Sequence, residues 1–317
     1  MHSLFHNQKR ESTTKQKRFY WLKLLLLGLI WGLLLLAAGY LALYVDALTR
    51  PLPSDICCTT PAKRGFDYED VTLSTADGVT LSGWYIPSRN GAAVILLHGD
   101  GGNRVGMLAH ARMLAQHGYG VLLYDQRACG QSGGEMRTYG WLDAGDVQAA
   151  TDYLHSREDV KPGQIGILGV SLGGQIALRA AAQNKEIGAV VADGPGTVGA
   201  ADVPFSAEYW RYFLFNWAVD RVQELRTGVV APAGVVEVIG DITPRPILLI
   251  ATGQTVRVEG WEYFYTRRLY EAAGQPKTLW QIPEAGHGAG LAARPQEYED
   301  RVVAFFDSAL LKDQSER

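Results

Sequence analysis

The chain has 317 residues, 47% of them hydrophobic and 20% charged, with a formal net charge of −3. That length and apolar content suit one large α/β domain plus an appendage and exclude a disordered chain. Basic residues run together only in the first 23 positions, which argues against nucleic acid as a partner, and three cysteines, Cys57, Cys58 and Cys129, are too few and wrongly spaced for a disulfide framework or a zinc site.

Residues 1–23 carry Lys9, Arg10, Lys15, Lys17, Arg18 and Lys23 against the single acid Glu11. Residues 24–45 then run 22 positions without a charge. As a helix, at ~1.5 Å per residue, that run covers roughly 33 Å, enough for a bilayer core. Trp21, Trp31, Tyr40 and Tyr44 put aromatics toward both ends, where interfacial belts sit. A cleaved signal peptide is the rival reading. Its apolar region is only ~7–15 residues long and ends in a small-residue cleavage site, whereas Leu41-Ala42-Leu43-Tyr44-Val45 offers no clear Ala-x-Ala. A buried soluble helix is the third reading. The expectation is a basic cytoplasmic tail (1–23) and a single transmembrane helix (24–45) that makes the lipid bilayer a partner. Because the basic flank precedes the span, the remainder is expected outside the cytoplasmic membrane.

Residues 46–66, with Pro51, Pro53 and Pro61, read as a linker. The globular domain is expected over 67–312. It opens with a hairpin signal, Val71–Ser74 and Val79–Ile86 joined through Asp77-Gly78. Buried strands are then expected at 92–97, 119–125, 164–168, 187–192, 247–251 and 278–282, with helices at 104–117, 141–157, 175–182, 262–273 and 295–311 between and after them. Such alternation implies a mostly parallel sheet covered on both faces. Residues 194–243 break it. This insertion holds Phe205, Tyr209, Trp210, Tyr212, Phe213, Phe215 and Trp217. It reads as a cap lining a substrate pocket, or as extra helices packed on the core, or as a second membrane contact.

At the centre of the alternation stands Gly169-Val170-Ser171-Leu172-Gly173, after a strand-like run and before a stretch of strong helix formers. Gly-x-Ser-x-Gly between strand and helix is the setting of a nucleophile elbow. A serine hydroxyl needs a base, and His287, in Gly286-His287-Gly288 after the last strand, lies where open α/β sheets place their sites. His2, His6, His110, His117 and His155 read as surface or core residues. Oxyanion donors are expected from the backbone N–H of Leu172, the residue after the nucleophile, and of Asp100 in the glycine-rich loop 98–104. No metal or cofactor is needed for this chemistry.

Together His98-Gly99, the segment 125–132, the pentapeptide around Ser171 and Gly286-His287 make the chain resemble an α/β-hydrolase over residues 67–312. The similarity is to the group with serine aminopeptidase-like, dienelactone hydrolase-like and prolyl oligopeptidase-like members. It implies an α/β-hydrolase fold, with a mostly parallel eight-stranded sheet, helices on both faces and a short cap insertion. Two departures stand out. Ala128 and Cys129 occupy positions in the family's Asp-x-Arg-Gly-x-Gly-x-Ser segment. The family's Asp shortly after the strand ending at Ala251 is missing; Glu259 falls nearest its place, with Glu262 and Asp193 as alternatives. The functional expectation is a membrane-anchored serine hydrolase that cleaves a carboxylic ester through an acyl-enzyme on Ser171. The alternatives are a peptidase of the same fold and a catalytically silent hydrolase fold acting as a binding protein.

Overall fold

The computed structural model describes residues 2–56, 58–254 and 261–311. By internal packing the chain divides into two compact units, Met1–Ala47 and Leu48–Arg317. The first consists of a single helix, α1 (His2–Thr49), whose last two residues belong to the second unit. Its part Lys17–Thr49 is the only helix among the described residues long and apolar enough to cross a membrane. The leucines between positions 22 and 36 are exposed, Leu25 by 70% and Leu35 by 69%.

The second unit starts with β1 (Leu52–Pro53), β2 (Glu69–Ser74), β3 (Thr80–Ile86) and β4 (Ala93–Leu97). It continues through α2 (Leu108–Gln116), β5 (Gly120–Tyr124), β6 (Cys129–Gly130), α3 (Asp143–His155), β7 (Ile165–Val170), α4 (Leu172–Gln183) and β8 (Ile187–Asp193). The insertion supplies α5 (Trp210–Thr227) and the single turn α6 (Val235–Val238). Last come β9 (Ile247–Gln254), α7 (Trp261–Ala272), β10 (Lys277–Gly286), α8 (Gly290–Ala293) and α9 (Pro295–Phe306).

Eight strands form one sheet in the order β10-β9-β8-β7-β4-β5-β3-β2. Pairing is parallel from β10 to β5 and antiparallel at β5–β3 and β3–β2. Every residue of β4 is buried, as a strand covered on both faces requires. Ile95 and Leu97 face a core built with α3, α4 and α7, while Val94 and Leu96 face one built with α2 and α9. The chain passes from β4 to β5 on one side and then to β7 on the other. Strand order therefore reverses between β4 and β7, and the crevice beyond their carboxyl ends is where such sheets bind ligands.

Two regions carry more structure than their composition suggests. In the expected linker, β1 pairs with β6 in parallel, and Pro61–Arg64 form a short 3-10 turn. In the insertion, buried carboxyl groups pin the loops around one long helix. Asp202 accepts from Val235 N–H at 2.7 Å and Val198 N–H at 3.2 Å, and Asp220 accepts from Ala200 N–H at 2.8 Å.

Candidate active site

The reversal between β4 and β7 places the pentapeptide at the crevice. Ser171 sits between β7 and α4 with φ 56° and ψ −119°, a conformation that non-glycine residues adopt only where the surroundings hold it. A Cβ on Gly169 would lie 2.0 Å from Gly173 O, and one on Gly173 would lie 2.3 Å from Leu97 O. Both positions must be glycine for the strand, the turn and the helix to come this close. The result aims Ser171 Oγ out of the sheet, at the positive end of α4.

His287 follows β10 and reaches back across the sheet end. Its Nε2 is 2.8 Å from Ser171 Oγ, and its Nδ1 is 2.5 Å from Glu262 Oε2. Glu262 belongs to the first turn of α7 and is buried. Its other oxygen, Oε1, accepts from Thr252 N–H at 2.6 Å and from the Thr252 hydroxyl. The carboxyl group is thus fixed by the end of β9 before it meets the imidazole. Its hydrogen bond to His287 raises the histidine pKa above 6.5, against the opposing effect of burial.

The three acid candidates fall in different places. Glu262 is the carboxyl group that meets His287. Glu259 lies outside the described residues. Asp193, at the end of β8, is fully buried and accepts from Tyr298 OH at 3.0 Å. Burial pushes its pKa up to about 7.

The expected oxyanion donors flank the nucleophile. Leu172 opens α4, so its N–H is one of the first-turn donors without an intrahelical acceptor. The loop carrying Asp100 passes beside Ser171: a Cβ on Gly99 would lie 3.3 Å from Ser171 Cβ. Asp100, Leu172, Arg137 and Tyr139 line one small cavity.

Two residues hold this loop: His98, from the His98-Gly99 motif, and Arg137, which carries no motif in the sequence. His98 is buried, and its Nε2 accepts from Gln126 N–H at 3.0 Å. Its Nδ1 then donates to Gly99 O at 2.8 Å, and burial keeps its pKa below the usual histidine value. Arg137 Nη1 meets Asp100 Oδ1 at 2.5 Å, while its Nε donates to Arg50 O at 2.9 Å. The segment 125–132 is a brace. Asp125 accepts from Arg104 N–H and Gln131 N–H, each at 2.8 Å, and Arg127 pairs with Asp146 and Asp77. Ala128, standing where the family has glycine, adopts φ 57°. Cys129 is buried and Cys58 exposed, both as free thiols; Cys57 lies outside the described residues.

Comparison with known proteins agrees with this architecture. Residues 92–236 match the family described as the alpha/beta hydrolase fold. The uncharacterised YfhR protein of Escherichia coli O157:H7 is 30% identical over 255 residues, 76% of this chain and 81% of that one. The uncharacterised protein Rv2307c of Mycobacterium tuberculosis H37Rv is 31% identical over 247 residues, 75% of this chain and 76% of that one. Among solved structures, the Pyrococcus furiosus esterase Pf2001 superposes with a TM-score of 0.65 at 28% identity, covering 82% of this chain and 98% of its own. A strand order that reverses at the elbow, a Ser–His–Glu hydrogen-bond chain beyond it and these likenesses together place the chain in the α/β-hydrolase family.

Proposed function

We propose that the protein is a serine esterase anchored in a membrane by residues 24–45. The observation that carries the reading is the unbroken chain from Ser171 Oγ through His287 to Glu262. In the first half-reaction His287 Nε2 takes the Ser171 proton as Oγ bonds to the ester carbonyl carbon. The positive charge that develops on the imidazole is stabilised by Glu262 through Nδ1–H. The carbonyl oxygen, now an oxyanion, is taken by the N–H groups of Leu172 and Asp100. Collapse of the tetrahedral species breaks the C–O bond, and His287 returns the proton to the leaving alcohol. Water repeats the sequence on the acyl-enzyme and releases the acid.

The hydrogen bond between Glu262 and His287 supports Glu262 in the role of the family's missing aspartate and weighs against the catalytically silent alternative. The likeness to an esterase favours ester over peptide cleavage. The exposed apolar helix and the basic residues before it support the anchor, with the catalytic domain on the outer side.

A fluorophosphonate should label Ser171 in the wild-type protein. Ser171→Ala should abolish labelling and lower p-nitrophenyl acetate turnover by about 10⁵-fold or more. Labelling that survives Ser171→Ala overturns the assignment.

A further inference from the structure

We propose that the substrate is an ester of a lipid resident in the bilayer, and that the outer face of α5 seats in the lipid surface to admit it. This deepens the esterase reading and rests on it. Two independent observations carry it.

The first is the length of the leash. The uncharged run ends at Val45, and by Thr49 the chain is already bound to the catalytic domain. Thr49 O accepts from Arg137 N–H at 2.8 Å, and Arg50 O accepts from Arg137 Nε. Arg137 in turn holds Asp100 of the oxyanion loop. Ser54 Oγ accepts from Asn103 Nδ2 at 3.0 Å, on the far side of the same loop. Four residues cover at most about 14 Å even when fully extended. A protein whose apolar run lies in a bilayer therefore cannot carry this loop far from the lipid headgroups.

The second is the surface of α5. Its inner side looks toward the site. Tyr212 packs edge-on against Trp261, the neighbour of Glu262, and its hydroxyl is 3.4 Å from Thr197 Oγ1. Val219 and Gln223 on that side are buried. On the opposite side Trp210, Leu214, Trp217, Arg221 and Leu225 fall within an arc of roughly 80° at 100° per residue. Trp217 is 50% exposed and Leu225 87%. A water-facing stripe of tryptophan and leucine is costly unless something covers it. Arg211 lies over the Trp210 ring at 5.2 Å, and the tryptophan, leucine and arginine of this face are what a headgroup boundary receives. The leash selects the bilayer, rather than a second copy, as the occupant.

The test uses the full chain reconstituted in phosphatidylcholine vesicles that carry a fluorogenic acyl-ester lipid, with p-nitrophenyl acetate as the soluble probe. The combined change Trp210→Gln, Leu214→Gln and Trp217→Gln should leave soluble-ester turnover within about twofold and lower lipid-ester turnover about tenfold or more. Leu225→Gln, at a position too exposed to matter for folding, should lower only the lipid rate, by about threefold. Unchanged lipid rates in both variants would overturn the proposal, as would a wild-type protein that cleaves the soluble ester and ignores the lipid. A triple variant that changes oligomeric state at an unchanged lipid rate would assign the stripe to a contact between copies instead. Extraction of the wild-type chain from vesicles by alkaline carbonate would remove the leash argument and the proposal with it. A wild-type protein that cleaves neither ester and takes no fluorophosphonate would mark failure of the esterase reading itself.

Discussion

The ends of β8 and β9 are adjacent in the sheet, with Asp193 opposite Ile250, and two buried carboxyl groups meet in the corner behind His287: Asp193 at the end of β8, and Glu262 of α7, which is fixed against the end of β9 by Thr252. The two are wired differently. Glu262 receives donors on both oxygens, from Thr252 on one side and His287 on the other. Asp193 receives the Tyr298 hydroxyl on Oδ2, and its Oδ1 has no hydrogen-bond partner among the described residues. Burial is similar and the donors are not. With a single donor against full burial, Asp193 is driven by desolvation toward its neutral form. The corner thus separates a residue suited to orient a base from one that keeps its proton near neutrality.

The largest effect that tests this separation is Glu262→Gln. The amide is isosteric, but the Nδ1 partner no longer carries charge, and the imidazole loses both its orientation and its stabilisation as a cation. Turnover of p-nitrophenyl acetate should fall by about 10³–10⁴-fold. The pH profile should move with it. Hydrolysis needs neutral His287, so activity rises as pH passes upward through the histidine pKa. In the wild type that inflection should lie above 6.5, because Glu262 favours the charged imidazole; in Glu262→Gln it should shift downward. An unmoved inflection would mean that another group sets the base.

Much of this corner is legible in the sequence, and the limits have physical causes. Ser171 announces itself because a turn this tight admits only glycine at 169 and 173, and His287 because a glycine-flanked histidine follows the last apolar run. Glu262 is harder to place. It comes from the first turn of the helix rather than from the loop beyond β9, so counting from the strand or the helix favours Glu259. Arg137 leaves no trace at all, since part of its grip is on the carbonyls of Thr49 and Arg50, and carbonyls have no sequence signature. For the same reason residues 46–66 read as a tether, although part of that stretch pairs with β6. The insertion is visible as a break in alternation. Its helix is apolar on two sides, and periodicity alone does not say which side faces the domain.

Asp193→Asn tests the other half of the comparison and should act on stability more than on rate. A carboxyl group whose folded pKa is raised to about 7 from 3.8 binds a proton in the folded state that the unfolded chain releases. Between about pH 4 and pH 7 the folded wild type therefore loses stability as pH rises. Asparagine has nothing to release. The difference in Tm between Asp193→Asn and wild type should shift in favour of the variant across that window and level off above it. Turnover at pH 8 should change by about threefold or less, since Asp193 makes no hydrogen bond to His287 among the described residues. A loss of activity comparable to that of Glu262→Gln would show that the two carboxyl groups act as one unit.

Tyr298→Phe is the finest probe, because it leaves both carboxyl groups in place and removes only the donor to Asp193 Oδ2. Tyr298 is fully buried, packed edge-on against His110 at 5.7 Å and tilted against Trp280 at 5.9 Å. Phenylalanine keeps those ring contacts, so the change isolates the hydroxyl. At pH 5, with the Asp193 carboxyl largely protonated in the folded state, the cost should be about 1 kcal/mol, the value of one neutral hydrogen bond. At pH 8 it should be larger, by up to about 2 kcal/mol, because a hydrogen bond to a charged acceptor is the stronger one. Denaturant titrations at the two pH values read the difference directly. A cost that is the same at both would mean that Asp193 does not change its charge between them, and the contrast between the two strand ends would then rest on Glu262 alone.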